Sequence, residues 1–162
     1  MTGKPAKAMK SSRPYGMTST RLSTVGPRKP VDWERMEQTA VFQWAAIHEA
    51  QWPELRYLHA TLNGARVPMG LAKKLKDAGM KSGPSDIYLD VRRQGFSGLR
   101  IELKRGGNKT LGIRPGRPSK EQLEWLQHYA QEGFCVALCF GAQAAIDQIR
   151  SYLSLPKEIT DG

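Results

Sequence analysis

The six residues Leu99-Arg-Ile-Glu-Leu-Lys104 alternate apolar and charged without interruption. A period of two belongs to a strand, whose successive side chains point to opposite faces, and not to a helix. Residues 86–91 repeat the pattern, with Ile87, Leu89 and Val91 on one face and Asp86, Tyr88 and Asp90 on the other. The residues between them, Arg92-Arg-Gln-Gly-Phe-Ser-Gly98, carry turn chemistry, so the two segments form a hairpin-like pair. Such a pair commits the chain to a sheet whose apolar face must be covered by a second layer. Its other face gathers Asp86, Glu102 and Lys104.

The second layer is helical by pattern. Residues 33–50 place Met36, Ala40, Trp44 and Ile47 on one stripe, with Glu37, Val41, Ala45 and His48 beside it, and Pro53 closes that helix. Residues 55–61 form a strand running to a turn at Asn63-Gly64. Residues 69–78 are a short helix stopped by Gly79. Residues 106–118, rich in glycine, proline and bases, form a mobile loop. Ser119 opens the next helix with Gln122 three residues on, a capping box, and Gly133 ends it. Residues 134–140 are a buried strand and Ala142–Leu153 a final amphipathic helix. The sequence has no internal repeat. It reads as one α/β domain, 32–162, behind an N-terminal arm.

The net charge of +10, from 25 Lys and Arg against 15 Asp and Glu, points to a polyanionic partner and is unevenly spread. Residues 1–31 hold seven bases and no acid; too poor in large apolar residues to offset their ordering entropy, they read as a disordered basic arm. That arm is a solubilising tail, a phosphate-tracking segment or an organelle transit peptide; its prolines and glycines oppose the last. Residues 92–120 hold nine bases around one acid, Glu102, whereas 32–91 and 121–162 together are net −5. No apolar run approaches the roughly 20 residues of a membrane span. Cys135 and Cys139, four residues apart on one strand face and so about 13 Å from each other, cannot form a disulfide and fit a reducing compartment, cytoplasmic in a bacterial or phage-infected cell and nuclear or organellar in a eukaryote. His48, His59 and His128 lack the spacing of a zinc site.

Glu102 and Lys104 share a strand face and can address one substrate atom, and the start of the neighbouring strand can bring Asp86 beside them. Two convergent carboxylates suit a hard cation such as Mg²⁺, and an adjacent ammonium can hold an attacking water and offset developing negative charge. That set matches phosphodiester hydrolysis. Taken singly the parts have plainer readings: Glu-x-Lys is commonly a solvated charge pair, and Asp at a strand start a turn former.

Together the segments resemble one family in order and spacing: Glu37-Gln-Thr-Ala-Val-Phe-Gln-Trp44, Asn63-Gly64, Ala72-Lys-Lys-Leu-Lys-Asp-Ala-Gly79, Met80-Lys-Ser-Gly-Pro-Ser-Asp86, Gly98-Leu-Arg-Ile-Glu-Leu-Lys104, Ser119-Lys-Glu-Gln122 with Trp125, and Gly133-Phe134. Over residues 37–153 the chain resembles the virus-type replication-repair nuclease (VRR-NUC) domain, a branch of the PD-(D/E)xK or restriction-endonuclease-like superfamily. One departure stands out: the family's Gly-x-Pro-Asp is here Gly83-Pro84-Ser85-Asp86, with the proline one place early, which alters the local approach to Asp86.

The resemblance implies a restriction-endonuclease-like core, a central mixed β-sheet flanked by helices. It implies Asp86 and Glu102 as metal-binding carboxylates for Mg²⁺ or Mn²⁺, the Leu103 carbonyl as a further ligand, and Lys104 as the water-positioning lysine. Glu37 corresponds to a first-helix acid facing the site, or else is a surface acid. Gln122 corresponds to a glutamine near the metal or scissile phosphate, or else serves only its capping box. The implied activity is a DNA endonuclease leaving 5′-phosphate and 3′-hydroxyl ends, acting on branched or junction DNA, as a homodimer. Arg92, Arg93, Arg105, Lys109, Arg114, Arg117 and Lys120 are expected to hold phosphates without reading sequence. The alternatives are a non-catalytic nucleic-acid-binding module on the same fold and an RNA-directed nuclease.

Overall fold

A computed structural model describes residues 31–61 and 68–157. The first thirty residues of the basic arm and the expected Asn63-Gly64 turn lie outside the described residues. Helix α1 spans Trp33–His48, strand β1 Leu58–Ala60, α2 Met69–Asp77, β2 Ile87–Leu89, β3 Leu99–Lys104, α3 Lys120–Gln131, β4 Cys135–Phe140 and α4 Ala142–Leu153. One mixed sheet runs in the order β1-β2-β3-β4. The first three strands are antiparallel, with Ile87 opposite Ile101 and Leu89 opposite Leu99. β4 lies parallel to β3, which requires the long crossover that α3 supplies.

Helices α1 and α4 cover the apolar face. Ile87, Leu89, Leu99, Ile101 and Leu103 pack there against Val41 and Ala45 of α1 and against Ala145, Ile146, Ile149 and Leu153 of α4. α3 covers the opposite face. There Arg100 is buried between the rings of Phe134 and Tyr88, its guanidinium carbon 4.1 and 4.3 Å from their centroids. It pairs with Asp90 at 2.8 Å, and the Tyr88 and Tyr129 hydroxyls meet at 2.6 Å. A buried cation is tolerated here because aromatic faces and a carboxylate replace its water.

Several expectations change. α1 turns Val41 and Ala45 inward and leaves Met36 and Ile47 exposed at 56 and 76 %; its packing on α4 selects the stripe containing Glu37, not the more apolar one beside it. Pro53 ends nothing further; it starts a 3₁₀ helix, Pro53–Tyr57, and so shortens the strand expected at 55–61 to three residues. Among the described residues β4 is an edge strand with a single neighbour and is therefore half-buried from Cys135 to Leu138, with Cys139 buried and Phe140 exposed. Both cysteines are free thiols. The 106–118 loop folds into a tight hairpin, with Asn108 and Ile113 exchanging backbone hydrogen bonds at 2.9 and 2.8 Å. Among the described residues no helix is long and apolar enough to cross a membrane.

Candidate active site

Asp86 sits one residue before β2, held there by its own backbone: its N–H donates to Ile101 O at 3.1 Å, and its carbonyl accepts from Thr61 N–H at 3.0 Å. Its side chain turns to β3, where Oδ2 accepts from Leu103 N–H at 2.9 Å. The carboxyl therefore fills the ladder position that the end of β2 leaves open. Because the N–H and C=O of one strand residue point the same way, the Leu103 carbonyl also faces the Asp86 side.

Glu102 and Lys104 project from β3 on the face that α3 covers, as the alternation required. Sequence did not foresee how completely they are buried: Glu102 is 0 % and Lys104 5 % exposed. Lys104 Nζ lies 2.7 Å from Glu102 Oε1. The pair is off-line for a hydrogen bond, and neither Glu102 oxygen has an aligned donor. Burial, and then the adjacent Asp86 charge, push the Glu102 carboxyl up to about 7, with Lys104 opposing. Asp86 is raised too, chiefly by burial, with the Leu103 N–H and Lys104 opposing. Two carboxyls driven upward together against a single ammonium form a site with less positive charge than both would need to ionise. Among the described residues no group of three or more His, Cys, Asp and Glu side chains is assembled for a metal; the donors that converge are two carboxyls and a carbonyl.

The other expected site residues divide. Glu37 does face inward, yet its Oε2 accepts from Ala142 N–H at 2.7 Å and caps the start of α4, where Gly141 brings no side chain of its own. Glu34, three residues before Glu37 on the same helix face, is exposed; its charge is the smallest of the influences on Asp86, and its Oε1 lies against Gly116 beside Lys104 Cβ. It was not singled out from sequence. Gln122 closes its capping box: Ser119 N–H donates to its Oε1 at 2.8 Å, and its own N–H donates to Ser119 Oγ at 3.3 Å. Its side chain is thereby committed to the helix terminus.

The basic residues divide as well. Arg93 is not available to phosphate: it is 3 % exposed and pairs with Glu54 at 2.7 Å. Arg92 and Arg93 follow β2, at the end of the sheet opposite Asp86 and Lys104. Lys109, Arg114, Arg117 and Lys120 are exposed near the end of β3, while Arg105 is half-buried, donating from Nε to Arg114 O at 3.0 Å. Lys73, Lys74, Lys76 and Lys81, inside a segment of net negative charge, are all exposed, on or just after α2, in the stretch of chain that leads into Asp86.

The chain is similar to a solved structure described as a VRR_NUC domain protein, with 29% identity, a TM-score of 0.61, and coverage of 80% of this chain and 94% of that one. No family model and no curated protein matches it.

Proposed function

From its likeness to a VRR_NUC domain protein and from the geometry of its carboxyls, we propose that this chain is a metal-dependent endonuclease of that family hydrolysing DNA phosphodiesters, with branched DNA preferred. The observation that carries this reading is the convergence of two buried carboxyls, Asp86 and Glu102, both pushed upward chiefly by burial, with one ammonium, Lys104, 2.7 Å from Glu102 Oε1. One ammonium does not offset two buried carboxylates, and a hard divalent cation is the further partner this donor set fits. Asp86, Glu102 and the Leu103 carbonyl would hold Mg²⁺ or Mn²⁺. Such an ion, when bound, polarises a phosphoryl oxygen and acidifies a water.

The chain's own residues do the rest. Leu103 N–H fixes the Asp86 carboxyl, and Ile101 O fixes the backbone that carries it. Lys104 is proposed to orient the attacking water and offset charge growing on the phosphoryl group. Glu34 is proposed as a third acid beside the pair, in the role the resemblance gave to Glu37. In the reaction the water oxygen bonds to phosphorus, the bond to the 3′ oxygen breaks, and a proton reaches that leaving oxygen, giving 5′-phosphate and 3′-hydroxyl ends. The exposed bases of the hairpin, whose stem packs on Lys104, and those of α2, which precede Asp86 in the chain, would hold backbone phosphates.

The test incubates the protein with linear, forked and four-way-junction DNA in Mg²⁺, Mn²⁺ or EDTA, alongside Glu102→Ala. Cleavage is expected in the metals alone and only with Glu102 present, while Glu102→Ala still binds DNA. Cleavage in EDTA, or by Glu102→Ala at the wild-type rate, refutes the mechanism. Binding without cleavage under every condition makes the chain a non-catalytic module.

A further inference from the structure

The hairpin beside the carboxylates ends in a leucine that faces solvent. Leu111 is 68 % exposed. It sits on a turn closed by hydrogen bonds: its N–H donates to Asn108 Oδ1 at 3.0 Å, and Gly112 N–H to Lys109 O at 3.2 Å, inside the Asn108–Ile113 backbone pair. The stem is fastened too, since Gly116 N–H donates to Arg105 O at 2.9 Å and Arg105 reaches back to Arg114 O. Gly116 packs so closely on β3 that a methyl there would lie 3.2 Å from Lys104 Cβ. The tip is thus carried on a stiff arm whose base rests on the proposed water-positioning lysine.

A single exposed leucine is ordinary in general. Here it stands at a turn apex, where small polar residues dominate, between the exposed cations Lys109 and Arg114. Leaving a leucine in water also forgoes about 2 kcal/mol of burial free energy. An apolar point ringed by positive charge complements an object that is anionic outside and apolar within, which describes stacked bases inside a phosphate backbone. Wedges of Leu, Ile, Met or Phe between base steps are a known means of opening a duplex, and unstacking costs least where stacking is already interrupted.

We propose that Leu111 is a wedge: Lys109 and Arg114 contact backbone phosphates while Leu111 enters the base step beside the cleavage position, favouring branch points. This rests on the nuclease reading above and adds to it a residue that selects DNA structure.

The test places 2-aminopurine, which brightens when unstacked, at the nucleotides flanking the branch of a forked DNA, and titrates full-length protein in EDTA so that nothing is cut. Wild type should raise the fluorescence several-fold at one flanking position. Leu111→Ser should bind within a few-fold of wild type but leave fluorescence near that of free DNA, and Leu111→Met should restore it. In Mg²⁺, the ratio of forked to linear cleavage should fall roughly tenfold in Leu111→Ser. Both variants change an exposed side chain, so their melting temperatures should match wild type. Wild-type protein that binds without brightening the probe, or Leu111→Ser that brightens it equally, overturns the wedge and leaves the nuclease reading standing. Leu111-dependent brightening by a chain that cleaves nothing sustains the wedge and overturns the nuclease reading instead.

Discussion

Gly83 stands three residues before Asp86 with φ +103°, and a side chain added there meets a wall. Its Cβ would overlap Trp125 Cδ1 outright and lie 2.9 Å from Nε1 and 3.2 Å from the Glu121 carbonyl carbon. The indole is not free to retreat, since its Nε1 donates to Ser82 O at 3.1 Å. Gly83→Ala therefore incurs three costs: about 1–2 kcal/mol for a left-handed alanine, about 1–3 for overpacking, and about 1 for the indole hydrogen bond if the ring moves. Gly79 is an internal control, with φ +95° but nothing within 4 Å of its missing Cβ. Gly79→Ala should show the backbone cost alone. Unfolded-state entropy changes equally in both variants and cancels from the comparison. Urea unfolding of the two should accordingly differ by about 2–4 kcal/mol at unchanged m-value. Gly83→Ala should also lose cleavage at urea concentrations where it remains folded, because the displaced indole drags the approach to Asp86. Equal destabilisation by the two substitutions would refute the claim that Trp125 sets this approach.

Glu54 pairs with Lys157 at 2.8 Å and with the buried Arg93 at 2.7 Å, and these partners, Lys157 foremost, hold its carboxyl down at about 2, from an ordinary 4.5. A depressed carboxyl contributes stability above pH 4.5 that is lost as pH falls towards 2. Glu54→Gln should cost on the order of 2 kcal/mol at pH 7, less than a fully desolvated pair because Lys157 is exposed, and should flatten the acid limb of a melting-temperature profile over that window. Gln122→Ala should cost about 1 kcal/mol in thermal unfolding through its lost capping bond and leave kcat within a few-fold; a thousand-fold fall in kcat would return the residue to the reaction centre. Replacing Lys73, Lys74 and Lys76 by alanine should lower the salt slope of duplex binding by about 0.9 for each phosphate that is no longer neutralised. Arg92→Ala, at the far end of the sheet, should leave that slope unchanged.

How much of this could be read from the chain depended on the range of the cause. The shared face of Glu102 and Lys104 was legible because a strand's period of two is a property of consecutive residues, and the Ser119–Gln122 box because a cap is local. The burial of that face was not, since it is imposed by α3, which arrives after a crossover. Arg93 looked like a phosphate ligand because only its charge is visible in sequence, while the carboxylate that claims it lies 39 residues away. The inward turn of Glu37 was anticipated, but its partner, a backbone N–H 105 residues on, was not. The exposed lysines of α2 were hidden by averaging their charge with that of the acids in the same stretch of chain.

The Glu37–Ala142 bond also tells where the chain can be cut. It clasps the first helix to the last, so the ends of the folded region are mechanically one piece. Both partners of the clasp lie within the unit that begins at Val31. Removal that continues past Glu37 takes the anchor from a helix that begins 105 residues further along the chain, and a deletion before α1 ends should then be felt as fraying of α4. Hydrogen exchange in the first turn of α4 is where that loss should first show.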